Sequence, residues 1–260
     1  MTMMTTRLQD VCNMLLRSMG LELHRAGSTS YWQRYVTRLN EELSIYHMQT
    51  NNRDLWVKQL ALKTVIDVGA NLGQFSTKMR KLLPNVVIYA FEPLPDCFKE
   101  LQVAFAGDSC FHAFNVGLGD AAGQSNFMRN QSCASSSFLK ITPAHTDAFP
   151  FTANTSSVIV KMERLDDMAK GMDLMAPFML KIDVQGFEDR VLRGGGVTAR
   201  KAKVVLLETS FLRLYEQQPL FDDIYMLLKG WGFAYQGSFE QLRDPGTGWT
   251  VQEDSVFVRQ

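Results

Sequence analysis

The chain has 260 residues, of which 46% are apolar and 21% charged, and this ordinary globular usage excludes a disordered, collagen-like or low-complexity protein. The 27 Lys and Arg residues equal the 27 Asp and Glu residues, so the net charge gives no support to nucleic-acid binding. Four scattered cysteines without a Cys-x-x-Cys pair, and apolar runs far short of the roughly 20 residues of a membrane span, predict a cytoplasmic protein with free thiols and no membrane span.

The first 62 residues carry two amphipathic patterns that are typical of helices. Apolar residues recur at i, i+3, i+4 spacing from Leu8 to Met19, and a second stripe runs from Trp32 to Tyr46. We expect residues 1–62 to form a helical extension that either covers the main domain or makes a homodimer contact. Residues 63–260 then form the main domain.

From Thr64 onward, short β-rich runs alternate with helical segments, which is typical of a parallel sheet with crossover helices. The predicted strands cover residues 65–68, 85–91, 110–116, 178–184, 203–208, 232–235 and 254–258. The predicted helices cover residues 75–83, a segment that opens at Pro95, and residues 188–192 and 221–229. The pattern therefore predicts an α/β fold.

The connection between the third and fourth predicted strands is longer than a normal loop, which suggests a function. Residues 124–128 and 157–162 alternate well enough to pair as a hairpin, and the stretch between them is rich in Ser, Thr and Ala and contains His145. We interpret residues 124–162 as an insertion that is either a flexible lid over the substrate or a plain surface excursion.

A glycine-rich turn follows the first strand in the segment VIDVGANLGQF (65–75). Gly69 and Gly73 let the backbone turn tightly and let a ligand approach closely, and the helix N-terminus after the turn faces that ligand. The G-x-G-x-x-G spacing of a dinucleotide site fails, because Asn71 and Gln74 stand at the second and third glycine positions.

Acidic residues at two strand ends fit a different nucleoside cofactor. Asp67 could hold a cationic amino group while the turn amides hold a carboxylate, which describes the amino-acid end of S-adenosylmethionine (SAM). Glu92 ends the second strand, where a carboxylate can accept both ribose hydroxyls. We therefore predict a SAM site and keep a nicotinamide-dependent oxidoreductase as the alternative.

Six blocks of the sequence resemble the FkbM-type SAM-dependent methyltransferases. They are VIDVGANLGQFS (65–76), YAFEPLPDCFKEL (89–101), FNVGLGDAAG (114–123), ERLDDM (163–168), LKIDVQGFEDRVLRGG (180–195) and LLETSFLRLYEQQPLFDD (206–223). The fifth block is the most specific, since generic class I methyltransferases lack Lys-Ile-Asp-Val-x-Gly-x-Glu. The N-terminal helices lie outside the resemblance.

This resemblance implies a class I Rossmann-like fold, with a seven-stranded, mostly parallel sheet whose last strand is antiparallel. It implies methyl transfer from SAM, most often to a hydroxyl of a sugar or polyketide. The cofactor-binding residues that we carry over are Asp67, Gly69, Asn71, Gly73 and Phe75 for the methionine end, Glu92 and Pro93 for the ribose, and Gly117, Leu118 and Asp120 beside the adenine.

The reaction end is predicted at the next two strands of the sheet. Ligands in open α/β sheets lie outside the carboxyl ends of the strands, which places Asp183 and Glu208 beside the methyl group of SAM. An alcohol is a poor nucleophile at neutral pH, so a base or a metal is needed. We predict Asp183 as the base, Glu208 as the second choice and His145 as the third.

Lys181 shares a strand face with Asp183 and could keep that carboxylate ionised or orient the substrate. The alternative is an ion pair with Glu188 or Asp183 that only fixes the turn. Gln185 stands where relatives often carry glutamate. Asp183 and Glu208 could bind Mg²⁺, although their spacing does not indicate an octahedral site.

Together these observations predict a SAM-dependent O-methyltransferase that acts on a sugar, a glycan precursor or a polyketide-like small molecule. A SAM-binding or scaffold protein without turnover is the non-enzymatic alternative.

Overall fold

The structure is a computed structural model that describes residues 34–41, 43 and 54–260. The chain divides into two compact units, Met1–Asn52 and Arg53–Gln260. In the first unit, residues 34–41 are helical, as the second amphipathic stripe predicts. The first stripe, from Leu8 to Met19, and both ends of the second lie outside the described residues.

The second unit contains a seven-stranded sheet and a three-stranded sheet. The strands in chain order are β1 Thr64–Val68, β2 Val87–Phe91, β3 Phe111–Phe114, β4 Gly117–Leu118, β5 Gly123–Asn130, β6 Thr155–Glu163, β7 Phe178–Ile182, β8 Val204–Ser210, β9 Phe233–Arg243 and β10 Thr250–Arg259. The large sheet has the order β3-β2-β1-β7-β8-β10-β9, and β10 runs antiparallel to both of its neighbours while the other pairs are parallel. The predicted fold class is confirmed.

Helices cover both faces of this sheet. They are α1 Leu55–Gln59, α2 Gln74–Leu82, α3 Pro95–Ala104, α4 Pro143–Ala148, α5 Leu165–Met168, α6 Glu188–Gly194, α7 Gly196–Ala199 and α8 Phe221–Gly230. Alternate residues of β1 enter two separate cores, Ile66 with α6 and α8 on one face and Val65 with α1 and α2 on the other. Because both faces are buried, apolar residues predominate along the central strands on both faces rather than alternating with polar ones.

Residues 54–62, which the sequence places in the N-terminal extension, pack on the sheet. Val57 of α1 is fully buried and Leu62 is 6% exposed, and both belong to the same core as Val65 and Met79. This short helix is therefore part of the second unit.

The insertion contains the predicted hairpin. β5 and β6 pair antiparallel from Gly123 to Asn130 and from Thr155 to Glu163, and β4 joins them in the three-stranded sheet. The stretch between the two strands is tied to the loop after β8, because the Thr142 N–H donates to the Leu214 carbonyl at 2.9 Å and the Glu216 N–H donates to the Lys140 carbonyl at 2.8 Å.

Two strands end earlier than predicted, and the last two extend further. β7 stops at Ile182, so that Asp183 begins the turn that follows it. β9 runs to Arg243 and β10 starts at Thr250, because their hairpin extends past the core with mostly exposed side chains on β9. Among the described residues, no helix is long and apolar enough to cross a membrane.

Candidate functional site

A cavity of about 650 Å³ lies at the carboxyl ends of β1, β2, β7 and β8, with the insertion along one side. It brings together most of the predicted site residues. Those that line it are Gly69, Asn71, Phe75, Glu92, Pro93, Gly117, Leu118, His145, Lys181, Asp183 and Glu208. Asp67, Gly73 and Asp120 do not line it, and their positions are described below.

The glycine-rich turn lies between two parts of the cavity. The sequence predicts the cofactor in one of them, the cofactor side, and the reaction in the other, the reaction side. Gly69 has φ +79°, and a Cβ atom there would lie 1.9 Å from the backbone oxygen of Asp183. Only glycine therefore allows the turn after β1 to contact the turn after β7. Gly73 begins α2 and packs towards Leu101 and Phe105 of α3 and its C-terminal end, away from the cavity.

Asp67 is fully buried beneath Lys181. Its Oδ2 accepts a hydrogen bond from Ser76 Oγ at 2.7 Å, and its Oδ1 lies 3.2 Å from Lys181 Nζ. The same Nζ lies 3.4 Å from Asp183 Oδ2 and 3.4 Å from the Gly69 carbonyl. The carboxylate of Asp67 thus serves an internal ion pair, and Lys181 stands between it and the cavity.

Lys181 keeps its charge although it is only 8% exposed. Burial opposes the ammonium form, but the carboxylates of Asp67 and Asp183 outweigh it and raise the pKa of Lys181. The predicted pairing with Asp183 is present, together with the stronger contact to Asp67. Glu188 takes no part in it, because its carboxylate accepts the backbone N–H groups of Val184 and Gly186.

Glu92 and Asn71 line the part of the cavity where the sequence predicts the cofactor. Glu92 Oε2 accepts the Asn71 N–H at 2.9 Å and Oε1 accepts the Leu94 N–H at 2.8 Å, and burial raises the pKa of Glu92 to about 7. The side-chain Oδ1 of Asn71 is buried, and within the described part of the chain no group donates to it. An acceptor in this state fits a donor supplied by a ligand.

The predicted adenine turn is divided between two environments. Gly117 and Leu118 form β4 and line the cavity, whereas Asp120 lies beyond them. The backbone carbonyl of Asp120 accepts a hydrogen bond from Arg164 Nη1 at 3.1 Å.

In the part of the cavity where the sequence predicts the reaction, the polar side chains are arranged around Gln185. Its Nε2 donates to Asp183 Oδ1 at 2.8 Å and to Glu208 Oε2 at 2.9 Å, and its Oε1 accepts from Tyr215 Oη at 2.7 Å. Burial, followed by the charges of Asp183, Glu188 and Asp254, raises the pKa of Glu208 well above its usual range. Burial likewise raises the pKa of Asp254, on β10, to about 6.

His145 lies on the insertion and lines the cavity. Burial lowers its pKa, and among the described residues its Nδ1 has no hydrogen-bond partner. Its ring meets that of Tyr215 edge-on, with 5.1 Å between the ring centroids. The candidate base from the insertion thus lies beside Tyr215, whose hydroxyl donates to Gln185.

Sequence reasoning missed three parts of the site. Tyr215 lies inside the last matched sequence block but in a loop without periodicity, and Asp254 reads as an ordinary strand residue. Aromatic and apolar side chains from the insertion and from β9, Phe127, Phe138, Phe149, Phe151, Phe239 and Leu242, form further walls of the cavity. In the described ranges, no group of three or more His, Cys, Asp or Glu side chains could hold a metal ion.

Comparison with known proteins adds an independent finding. The profile of a family described as "Methyltransferase FkbM domain" matches residues 67–235. The chain is similar to the 2-O-methyltransferase NoeI of Sinorhizobium fredii, with 24% identity over 59% of this chain and 66% of the relative. It is also similar to Methyltransferase 1 of Beauveria bassiana, with 30% identity over 50% of this chain and 57% of the relative.

A third curated relative and two solved structures are also similar to this chain. The 31-O-demethyl-FK506 methyltransferase FkbM of Streptomyces tacrolimicus is 25% identical over 65% of this chain and 72% of its own length. A putative methyltransferase from Thermobifida fusca has a TM-score of 0.47 and 9% identity, covering 82% of this chain and 79% of that one. Aeropyrum pernix fibrillarin in complex with SAM has a TM-score of 0.42 and 12% identity, covering 75% and 66%. This chain matches less than two thirds of the length of NoeI and of Methyltransferase 1.

Proposed function

This chain belongs to the FkbM methyltransferase family, and from that premise we propose that it is a SAM-dependent O-methyltransferase acting on a hydroxyl of a sugar or polyketide-like small molecule. One observation carries the proposal. Glu92 on the cofactor side and Asp183 and Glu208 on the reaction side line a single cavity at the carboxyl ends of neighbouring parallel strands. Two relatives, one named a 2-O-methyltransferase and the other a 31-O-demethyl-FK506 methyltransferase, support oxygen as the methylated atom.

The residues on the cofactor side fit SAM. The buried Oδ1 of Asn71 lacks a donor among the described residues, and the ammonium or a hydroxyl group of SAM would supply one. Each oxygen of Glu92 accepts one backbone N–H and retains a lone pair for a ribose hydroxyl. SAM, when bound, supplies a methyl group on a positively charged sulfonium, and the acidic groups around the cavity favour that charge.

The role of Asp67 is different from the one that the resemblance implies. Its carboxylate lies behind Lys181 and outside the cavity wall, so we assign it the task of holding Lys181 in place. Lys181 in turn lies beside Asp183, the group that we assign to the reaction itself.

Asp183 is the best candidate for the general base. Its side chain is 34% exposed and lines the cavity, and it receives an N–H from Gln185 while lying 3.4 Å from Lys181 Nζ. These two contacts hold the side chain at the cavity wall, where a carboxylate can take the proton of an acceptor hydroxyl. Burial raises the pKa of Glu208, and we assign this group to hydrogen bonding with the acceptor.

Family membership favours methyl transfer over the nicotinamide-dependent alternative. A SAM-binding protein without turnover is separated from an enzyme by the assay below. The homodimer contact through residues 1–62, the cytoplasmic location and the lack of a nucleic-acid partner stay predictions.

Calorimetric titration with SAM tests the cofactor side. We expect one SAM per chain, and Glu92→Gln should weaken binding by about 10-fold or more, because each lost hydrogen bond to a charged acceptor is worth about 1.5–3 kcal/mol. Glu100→Gln, an exposed position on α3, is the matched control and should bind as the unchanged chain does. Absence of SAM binding in the unchanged chain would refute the proposal.

A panel of sugars and polyketides with free hydroxyls tests the reaction. The proposed enzyme should convert at least one acceptor to a product that carries one additional methyl group on oxygen. Tight SAM binding without methylation of any acceptor would favour the scaffold alternative.

A further inference from the structure

Gln185 occupies the centre of the reaction end with all of its side-chain polar atoms bonded. The two N–H groups of its amide point to Asp183 and Glu208, and its single oxygen accepts from Tyr215. If the amide were rotated by half a turn, its oxygen would face the two carboxyl groups and its N–H groups would face the tyrosine. The network therefore depends on one orientation of this amide.

The backbone of Gln185 is held in a conformation that side-chain-bearing residues rarely adopt, with φ +56°. Ser137 Oγ, on the insertion, donates to its carbonyl at 2.6 Å. The next residue, Gly186, has φ +93°, and a Cβ there would lie 3.1 Å from Tyr215 Cβ. Such a conformation persists where the surroundings determine it, and here Ser137 and Tyr215 supply those surroundings.

Tyr215 is the residue that contacts the oxygen of this amide. It is fully buried, and burial raises the pKa of its phenol well above the usual range, so the hydroxyl remains a donor. Its Oη lies 2.7 Å from Gln185 Oε1 and 3.3 Å from the carbonyl of Ser135. A hydroxyl has one proton to donate, and the shorter contact is the one to Gln185.

We propose that Tyr215 is a positioning residue for methyl transfer: its hydroxyl orients the Gln185 amide, which then gives one N–H to Asp183 and one to Glu208 and fixes both carboxyl groups at the cavity. The kinetic part of this inference rests on the proposed function. The structural part does not, because the network consists of this chain's own side chains.

Other charged groups act on the same carboxyl pair. Lys181 faces it from β7, Asp254 from β10 and Glu188 from α6, and His145 lies against Tyr215 from the insertion. Removal of the Tyr215 hydroxyl leaves all of these groups in place. A change in the titration of Glu208 in that variant therefore reports the hydrogen bonds of the amide.

The first test needs neither SAM nor acceptor. Carboxyl-carbon NMR titration, with the Glu208 signal assigned by its absence in Glu208→Gln, compares the unchanged chain with Tyr215→Phe and Gln185→Met. An N–H bond stabilises the ionised carboxylate, so its loss should raise the pKa of Glu208 further, by about one pH unit in Gln185→Met and in the same direction in Tyr215→Phe. Tyr89→Phe is the matched control, since Tyr89 Oη accepts from the Asp173 N–H at 3.0 Å outside the cavity.

The second test uses the pH dependence of kcat/KM for an acceptor found in the panel. Its acid limb should move to higher pH in Tyr215→Phe and Gln185→Met, while the Kd for SAM stays within about twofold of the unchanged chain. A merely structural role for Tyr215 would lower the amount of folded enzyme without moving this limb.

Each outcome of these tests decides for or against the inference. An unmoved Glu208 titration and an unmoved acid limb in folded Tyr215→Phe would overturn the inference, as would an effect in Gln185→Met alone. If Tyr215→Phe does not fold, the test rests on Gln185→Met: an unchanged pKa of Glu208 in that variant overturns the inference, and a raised pKa supports the network. If the unchanged chain methylates no acceptor, the proposed function fails, while the titration still tests the inference by itself.

Discussion

The ion pair between Asp67 and Lys181 predicts a large loss of stability that is not additive. Asp67 is fully buried, Lys181 is 8% exposed, and their charged atoms lie 3.2 Å apart. Removing one partner of such a pair costs about 3–5 kcal/mol, because the other charge is left in a medium that solvates it poorly. In Lys181→Met, Ser76 still donates to Asp67, so we expect the lower end, about 3 kcal/mol.

The second partner provides the compensating change. In Asp67→Asn, Lys181 retains Asp183 at 3.4 Å, and we expect a loss of about 2 kcal/mol. In the double variant no buried charge of this pair remains, so the loss should be about 1 kcal/mol. Single losses of about 3 and about 2 kcal/mol then give a coupling energy of about 4 kcal/mol. Because folding raises the pKa of Lys181, the ion pair contributes its full stabilisation at every pH below 10.5, the pKa of this lysine in the unfolded chain.

Urea unfolding at pH 7 of the four chains measures this cycle. A loss of 3 kcal/mol corresponds to a fall of roughly 6–12 °C in Tm for a unit of about 200 residues, which gives a second readout. Lys99→Met, at an exposed position of α3, is the control and should change stability by less than about 0.5 kcal/mol. Losses in the single variants that simply add in the double variant would refute the ion-pair reasoning.

Three further predictions concern the turn, the cofactor side and the base. Gly69→Ala should lower the free energy of unfolding by more than about 3 kcal/mol or prevent folding, because its Cβ would lie 1.9 Å from a backbone oxygen. Gly107 also has a positive φ but open space around it, so Gly107→Ala should cost only about 1 kcal/mol by urea unfolding. Equal losses in the two variants would contradict this prediction. Burial raises the pKa of Glu92 from 4.5 to about 7, so between these pH values the folded chain holds a proton that the unfolded chain releases. The stability of the unchanged chain relative to Glu92→Gln should therefore fall by about 3 kcal/mol as the pH rises from 4.5 to about 7. A stability difference that does not change with pH would count against this prediction. Asp183→Asn should lower kcat about 10²- to 10⁴-fold and Glu208→Gln much less in the same assay, and the reverse ranking would make Glu208 the base.

The sequence predicts the sheet because its central strands are buried on both faces. β1, β7 and β8 are mostly apolar, with one charged residue each, Asp67, Lys181 and Glu208, and each is followed by a polar or glycine-containing turn. The full length of the β9–β10 hairpin is not predicted in this way, since its outer end is mostly exposed and needs no apolar residues. Its true length follows from strand pairing, which a local pattern does not encode.

The site is predictable to the extent that strand ends determine it. Glu92, Asp183 and Glu208 line one cavity because parallel strands place their carboxyl ends at the same edge. The ion-pair partner of Asp67 can be identified only from the register of β1 against β7, which sets Asp67 beside Lys181. A strand-end aspartate reads the same in sequence whether it faces a ligand or a lysine.

Tyr215 shows a second kind of limit. Its burial comes from contacts with the insertion and with the turn at Gly186, which are far apart in sequence. The loop that contains it has no helical or strand period, so no local pattern distinguishes it from a surface tyrosine. Packing between distant segments therefore determines its position.

Transfer of a trideuterated methyl group from labelled SAM tests the central claim most directly. The purified chain is incubated with labelled SAM and the panel of hydroxylated sugars and polyketides, and the products are analysed by mass spectrometry. The account predicts an acceptor that gains one labelled methyl group on oxygen, with product formation sharply reduced in Asp183→Asn. An unlabelled acceptor pool throughout, from a folded chain that binds SAM, would contradict it.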